Sequence, residues 1–294
     1  MSTVSDAFYR GVTLVDTARK RRNTSVAETR VPRVRRFLVC EPRHFAVQYA
    51  INPWMNPDTR VDVDLAHEQW TALIGAYRAH GHTVDHLEPV AGLPDMVFAA
   101  NSAVVVGGRV FGSLFHAPER RPESSHYDLW FKTAGYDVYR PGSVVEGEGD
   151  LVWTGRYLLA GTGFRTTREA HREAQEFFGH PVISLTLVDP YFYHLDTALF
   201  VLDDENVCYY PEAFSSGSRE VLGRLYPDAV LATRDDAMAW GLNSVSDGHR
   251  VFIAPQAEVL ASRLADQGYE PVPVDLSEFH KAGGGIKCCT QEIR

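Results

Sequence analysis

The chain has 294 residues, 45% of them hydrophobic, and a formal net charge of −9. That apolar content suffices for a large core, and the acidic balance excludes a nucleic-acid or anionic-membrane surface, which needs clustered Lys and Arg. No run approaches the roughly 18 apolar residues of a membrane span, and the Met1-Ser-Thr start lacks the basic-then-apolar pattern of a secretory leader, so a cytoplasmic protein is expected. Four cysteines, Cys40, Cys208, Cys288 and Cys289, show no CxxC spacing and are expected to be free thiols.

Residues 1–34 read as a polar N-terminal arm, with the basic run Arg19 to Arg22 and then Arg30 and Arg33 on a solvated face. From 35 to 294 a unit recurs five times. Each opens with a short apolar, β-rich run: Arg36–Cys40, Ala103–Val106, Tyr157–Ala160, Ala198–Val201 and Val251–Ala254. Helical spacing follows most of them, as in Ala66–His80 with Trp70, Leu73, Ile74 and Tyr77, and in Glu258–Gln267 before Gly268. A second strand closes each unit: Thr83–Leu87, Asp137–Tyr139, Pro181–Leu185, Ala229–Ala232 and Pro271–Val274. Units that cannot bury their own apolar faces must pack on their neighbours. The expectation is one α/β domain of pseudo-fivefold arrangement, with an ordinary doubly wound sheet as the competing topology.

After each second strand comes a polar segment. These are Leu93–Ser102, Val145–Asp150, Tyr193–Thr197, Leu242–Ser246 and Lys281–Thr290. If five units close around an axis, the five segments converge, and loops on a rigid scaffold are a natural place for chemistry. They contribute Asp95 and Asn101; Glu146, Glu148 and Asp150; His194 and Asp196; Asn243 and Ser244; and Cys288. A thiol with a histidine suggests nucleophilic catalysis. Several carboxylates in one pocket call for a cation, and a guanidinium pairs with them through a bidentate fork. A hard-cation metal site is the rival, but no compact Asp-x-Asp-x-Asp loop is present. Singly, Cys288 reads as a small buried apolar residue and His194 as a core histidine; the joint recurrence is harder to explain so. Gly283-Gly-Gly285 lacks the Lys-Ser/Thr of a phosphate loop.

From about Arg35 onward these residues resemble the guanidino-group-modifying superfamily, whose members include arginine deiminases, dimethylarginine dimethylaminohydrolases, amidinotransferases and arginine dihydrolases. The likeness rests on Pro94-Asp95 with Phe98, the Glu146-Gly-Glu-Gly-Asp150 turn, His194-Leu-Asp196-Thr197 and the terminal cysteine. Within it the chain is most similar to arginine dihydrolases, through Ile51-Asn52-Pro53-Trp54-Met55, Asp95 to Asn101, Tyr193 to Thr197, and Lys281-Ala-Gly-Gly leading to Lys287-Cys288. The resemblance implies a five-bladed α/β propeller of ββαβ-type modules in a single domain.

It also implies roles. Cys288 would be the nucleophile, His194 the proton carrier, and Glu146 and Asp196 the grip on the guanidinium. Arg120, or its neighbour Arg121, and Arg165 would hold the substrate α-carboxylate, and Asp95 the α-amine. Deiminases and dimethylargininases usually carry an aspartate where this chain has Asn101. With Asn52, Asn101 would donate to a neutral ureido oxygen and so allow a second hydrolysis, to ornithine, ammonia and carbon dioxide. Asn243 completes the substrate-binding set. No cofactor and no metal is expected, the only partner implied is the small-molecule substrate, and a homo-oligomer is left open. The competing activities are a deiminase, a dimethylargininase (though Ala100 stands where those enzymes tend to place a second acid) and a non-catalytic arginine sensor.

Overall fold

The computed structural model describes residues 30–294, so most of the arm lies outside it. The described chain builds five three-stranded sheets, the blades of a ring. The first middle strand is β1 (Arg36–Cys40), followed by helix α1 (Val63–Ala79) and the outer strand β2 (Thr83–Leu87). The second blade holds β3 (Ala103–Val106), β4 (Arg109–Gly112), α2 (Glu123–Thr133) and β5 (Val138–Tyr139). The third holds β6 (Leu151–Trp153), β7 (Leu158–Thr162), α3 (Arg168–Phe178) and β8 (Val182–Thr186). The fourth holds β9 (Leu199–Val201), β10 (Val207–Tyr209), α4 (Ser216–Leu225) and β11 (Val230–Leu231). The fifth holds β12 (Val245–Ser246), β13 (Arg250–Ile253), α5 (Glu258–Asp266) and β14 (Glu270–Pro273). The last strand, β15 (Gln291–Ile293), returns to the first blade.

Every blade follows one rule. Its inner strand runs antiparallel to the middle strand, and the middle strand runs parallel to the outer one, across the helix that connects them. This is the ββαβ module expected from the resemblance, and a parallel pair requires such a crossover. The first blade is permuted: β15 supplies its inner strand and closes the ring, with Arg36 opposite Ile293 and Leu38 opposite Gln291. The inner strands β3, β6, β9 and β12 follow one another round the axis, with β15 beside β3.

The helices form where the sequence places them. Asp62 caps α1 by accepting from the Leu65 amide at 3.1 Å, and Ala66, Trp70, Leu73, Ile74 and Tyr77 form its buried face. Thr167 caps α3, and Gly179, at φ 70°, ends it in the left-handed conformation that glycine adopts without penalty. The apolar residues collect between blades, for example Phe37, Tyr77 and Phe252 where the first blade meets the fifth.

The repeat unit differs from the sequence expectation in one respect. The five opening strands are not equivalent: β1, β7 and β13 are middle strands, whereas β3 and β9 are inner ones. The strands that complete the pattern, β4, β6, β10, β12 and β15, have two to four residues each, too few for a periodic signal. One could have been read: Gly107 and Gly108, at φ 58° and 74°, form a two-residue hairpin turn between β3 and β4.

At the described end of the arm residues 31–34 are exposed, as expected, but two of its arginines find partners: Arg30 pairs with Asp203 and lies 3.6 Å over the Tyr269 ring, and the exposed Arg33 grips Asp204. Just beyond it, Arg35 faces Glu292 at 3.3 Å.

Candidate active site

Four of the polar segments lie just before an inner strand and the other, Leu242–Ser246, runs into β12, so the ring gathers them at one end of its axis. Short 3-10 turns, Pro94–Val97 and Ala99–Ser102, deliver Asp95 and Asn101 to β3. A single helical turn, Gly147–Asp150, follows Glu146 and leads into β6. His194 stands between the turns Pro190–Phe192 and Leu195–Thr197, with Asp196 inside the second. Asn243 precedes β12, and Cys288 precedes β15. The glycines before Cys288 are required by close approach. A Cβ on Gly283 would stand 2.6 Å from Asn52, and one on Gly284 would stand 2.2 Å from the Phe98 ring.

The thiol is held by two neighbours. Cys288 Sγ lies 3.3 Å from Asp196 Oδ2, to which it donates, and receives the Asn243 Nδ2 hydrogen bond at 3.2 Å. Asn243 fixes this loop twice more, accepting from the Cys288 amide at 3.1 Å and donating to the Asp196 carbonyl at 3.0 Å. These bonds tie Asn243 to both sides of the thiol. Cys288 is 2% exposed, and burial, then the Asp196 charge, push its thiol well up. Burial likewise pushes the Asp196 carboxyl up to about 6. The ligand-free pair is therefore a thiol beside a carboxyl that ionises only as pH rises through about 6.

Glu146 has the opposite character. It is fully buried, which alone would raise its pKa, but Arg165 and His194 hold the carboxyl well below the usual range. Its Oε1 accepts from the His116 amide at 2.9 Å; its Oε2 takes Arg165 Nη1 at 2.8 Å and His194 Nε2 at 2.6 Å. A carboxylate on Nε2 fixes how the imidazole faces and leaves Nδ1 for other work.

Arg165 also donates to the Ile51 carbonyl at 2.7 Å and lies 4.7 Å over the Tyr193 ring. Segment 49–54 thereby covers the site: Tyr49 donates to Asp95 Oδ2 at 2.8 Å, and Asn52 Nδ2 donates to the Ala282 carbonyl at 3.1 Å. Asn52 thus spends its donors on the backbone of the Cys288 loop and, at 3.4 Å, on Tyr193. Of the two adjacent arginines, Arg120 is buried beside Asn101, while Arg121 is exposed and bonds the Phe115 carbonyl. Arg120 spends its donors on Glu123, on the Asp95 carbonyl and on Asn101 Oδ1. Burial lifts Glu123 to about 7 against the pull of Arg120.

Four buried polar atoms of this cluster have no partner among the described residues: Asp95 Oδ1, Asn101 Nδ2, His194 Nδ1 and Asp196 Oδ1. Buried polar atoms are almost always satisfied, so their concentration at one place marks where a polar ligand is received. Two carboxylate oxygens and a thiol suit a cation with N–H donors.

Other sequence candidates hold the frame. Glu148 accepts from Lys287 Nζ at 2.6 Å and from the Glu292 amide; Asp150 accepts from the Leu195 amide at 3.0 Å; Ser244 bonds the Gly241 carbonyl. Tyr49 and Glu123 escaped the sequence reading, and Tyr193 and Lys287 entered it only as motif members without a role, because nothing in a lone residue's type says which loop it will brace. Among the described residues no three His, Cys, Asp or Glu side chains converge as a metal site requires, and no helix is long and apolar enough to cross a membrane.

The chain is similar to known proteins along most of its length. Residues 41–294 match the family model described as N,N dimethylarginine dimethylhydrolase, eukaryotic. The N(G),N(G)-dimethylarginine dimethylaminohydrolase of Mycobacterium tuberculosis is 49% identical, over 90% of this chain and 87% of that protein. The bifunctional arginine dihydrolase/ornithine cyclodeaminase AgrE of a Nostoc species is 37% identical over 88% of this chain, which spans only 38% of that longer protein. Among solved structures, the N-terminal domain of ArgZ, a cyanobacterial arginine dihydrolase in a cysteine-to-serine form bound to substrate, superposes with a TM-score of 0.85 at 34% identity, covering 88% of this chain and 98% of that one. The chain belongs to the N,N-dimethylarginine dimethylhydrolase family of the guanidino-group-modifying superfamily, a group of hydrolases acting on guanidino C–N bonds.

Proposed function

We propose that this protein hydrolyses free L-arginine through Cys288, and that it proceeds beyond citrulline to ornithine as an arginine dihydrolase does. The observation that carries the reading is the orientation of Asn101. Its Oδ1 takes the Arg120 hydrogen bond, and its unpartnered Nδ2 is left as a buried donor. A donor suits the carbonyl oxygen of a ureido group, which a carboxylate at the same place would repel.

In the first half-reaction the guanidinium lies against Asp196 and the thiol. Its positive charge offsets the burial and the Asp196 charge that keep Cys288 protonated, so thiolate forms as substrate arrives. Sulfur attacks the guanidinium carbon, His194 passes a proton to departing ammonia, and an S-linked thiouronium forms. His194 then takes a proton from water, the C–S bond breaks, and citrulline results. In the second half-reaction Cys288 attacks the ureido carbon while Asn101 Nδ2 holds its oxygen. Ornithine leaves with a proton from His194, and water releases carbamic acid, which falls to ammonia and carbon dioxide. Arg165 and Asp95 would meet the substrate α-carboxylate and α-amine. Four of the five Arg120 N–H groups are already taken within the protein, leaving one for the carboxylate.

A second reading is dimethylarginine hydrolysis, favoured by the family model and the mycobacterial relative. It uses the same nucleophile and releases dimethylamine. One experiment separates the two: purified protein is incubated with arginine and, separately, with asymmetric dimethylarginine, and the products are resolved. Ornithine with two ammonia per arginine supports the dihydrolase. Citrulline with one ammonia, or turnover of dimethylarginine alone, overturns it. Asn101→Asp should then make citrulline and little ornithine; ornithine at the parent rate would remove Asn101 from the explanation.

A further inference from the structure

An asparagine amide has two faces, and which one meets a ligand depends on what the other is tied to. The Arg120 guanidinium carries only donors, and its Nη1 lies 2.7 Å from the Asn101 side chain. Oxygen must therefore face Arg120, and the NH₂ must point the other way. Arg120 is itself immobilised: Nε and Nη2 form a fork on the Glu123 carboxylate at 3.0 and 2.9 Å, and Nη2 also meets the Asp95 carbonyl at 3.1 Å. On the opposite side the NH₂ rests against Gly149. A Cβ there would stand 2.4 Å from Asn101 Nδ2 and 3.3 Å from His194 Nδ1. The amide is wedged between a guanidinium and a bare Cα, with its nitrogen beside the unpartnered imidazole nitrogen.

We propose that Glu123 and Gly149 are positioning residues that act through Arg120 and Asn101, holding the amide donor-first so that the site accepts a ureido oxygen. The inference rests on the dihydrolase reading and names what makes the second half-reaction selective. Without the Glu123 charge, Arg120 turns toward the next carboxylate, Asp95 Oδ2, now 3.9 Å from Nε. Asn101 Oδ1 is then released and the amide can rotate, presenting an oxygen where a donor is needed. The groups that carry the chemistry of both halves, Cys288, His194, Glu146 and Asp196, make no hydrogen bond to Glu123, and a change in substrate grip through Arg120 would weigh on both halves alike.

The test is the product ratio of Glu123→Gln on arginine, with citrulline and ornithine both counted. The clamp requires the citrulline-to-ornithine ratio to rise about tenfold, the size of one well-placed hydrogen bond, with partial recovery in Glu123→Asp. Gly149→Ala, which displaces the amide from its other side, should raise the ratio as well and guards against a Glu123 variant that does not fold. A merely structural role would slow both halves together, so an unchanged ratio in folded variants of an ornithine-forming enzyme overturns the clamp alone. A wild-type protein that forms no ornithine from arginine or citrulline overturns the dihydrolase reading, and the clamp's purpose with it.

Discussion

The two carboxylates of the site should respond in opposite ways to losing their charge. In Glu146→Gln the shape is kept, but three N–H groups now face an amide. Whichever way it turns, an NH₂ confronts either the His116 amide, 2.9 Å away, or Arg165 and His194 at 2.8 and 2.6 Å. Arg165 is left buried without its counter-charge, a change that typically costs about 3–5 kcal/mol. For a domain near this size that lowers Tm by on the order of 10 °C. The Glu146 pKa is depressed in the fold, so its stabilisation is complete above the ordinary glutamate value of about 4.3 and drains away as pH falls below it. The gap between wild type and Glu146→Gln should narrow in acid. Asp196 is raised from 3.8 to about 6, so its favourable contribution is complete below its ordinary value and is lost as pH rises through about 6. Ligand-free Asp196→Asn should therefore gain on the order of 2–3 kcal/mol near neutral pH, and the gain should vanish toward about pH 4. Circular-dichroism melts from neutral pH down to about pH 2, on protein without arginine, read both effects. Shifts of the same sign near neutral pH, or a Glu146→Gln protein within about 2 °C of wild type, would refute the assignment of opposite roles.

Three further outcomes are expected. Cys288→Ser should bind arginine without turnover, and calorimetry should show the affinity falling as pH drops through about 6, where Asp196 takes up its proton, with the dependence lost when Asp196→Asn is added. A haloacetamidine, which carries the charge of the guanidinium, should label Cys288 beside Asp196 and spare the buried Cys40 and Cys208; mass spectrometry of the digest reads the selectivity, and labelling prevented by Cys288→Ser alone supports it. Gly284→Ala must drive a methyl group into Phe98, 2.2 Å away, and should cost roughly 1–3 kcal/mol by denaturant titration along with most of the activity.

The five-unit fold and the loops that converge at its axis were legible; the short inner strands and the partners of each loop residue were not. These loops announce themselves by chemistry, since Asp, Asn, His and Cys have little reason to recur at matching places in a repeat. The inner strands are short, and their residues are chosen for packing against neighbouring blades, so Val245–Ser246 or Leu151–Trp153 give no pattern of their own. Direction was hidden too. Glu146, Glu148 and Asp150 look interchangeable in sequence, yet one turn of helix sends the first to His194, the second to Lys287 and the third to the Leu195 amide. The ion pairs of Arg30 and Arg33 could not be read, because their partners, Asp203 and Asp204, are 173 and 171 residues away.

The closing strand has a temporal consequence. β15 pairs with β1, and Cys288 lies just ahead of it, so the pairing joins segments from opposite ends of the described chain. Such contacts form late, because the entropy of closing a long loop must be met before they contribute anything. The four preceding blades can assemble on a ribosome while the thiol is still being made. A half-built ring thus displays the carboxylates without Cys288. On the reading that Cys288 is the nucleophile, turnover would begin only when the circle shuts, and would itself report complete folding.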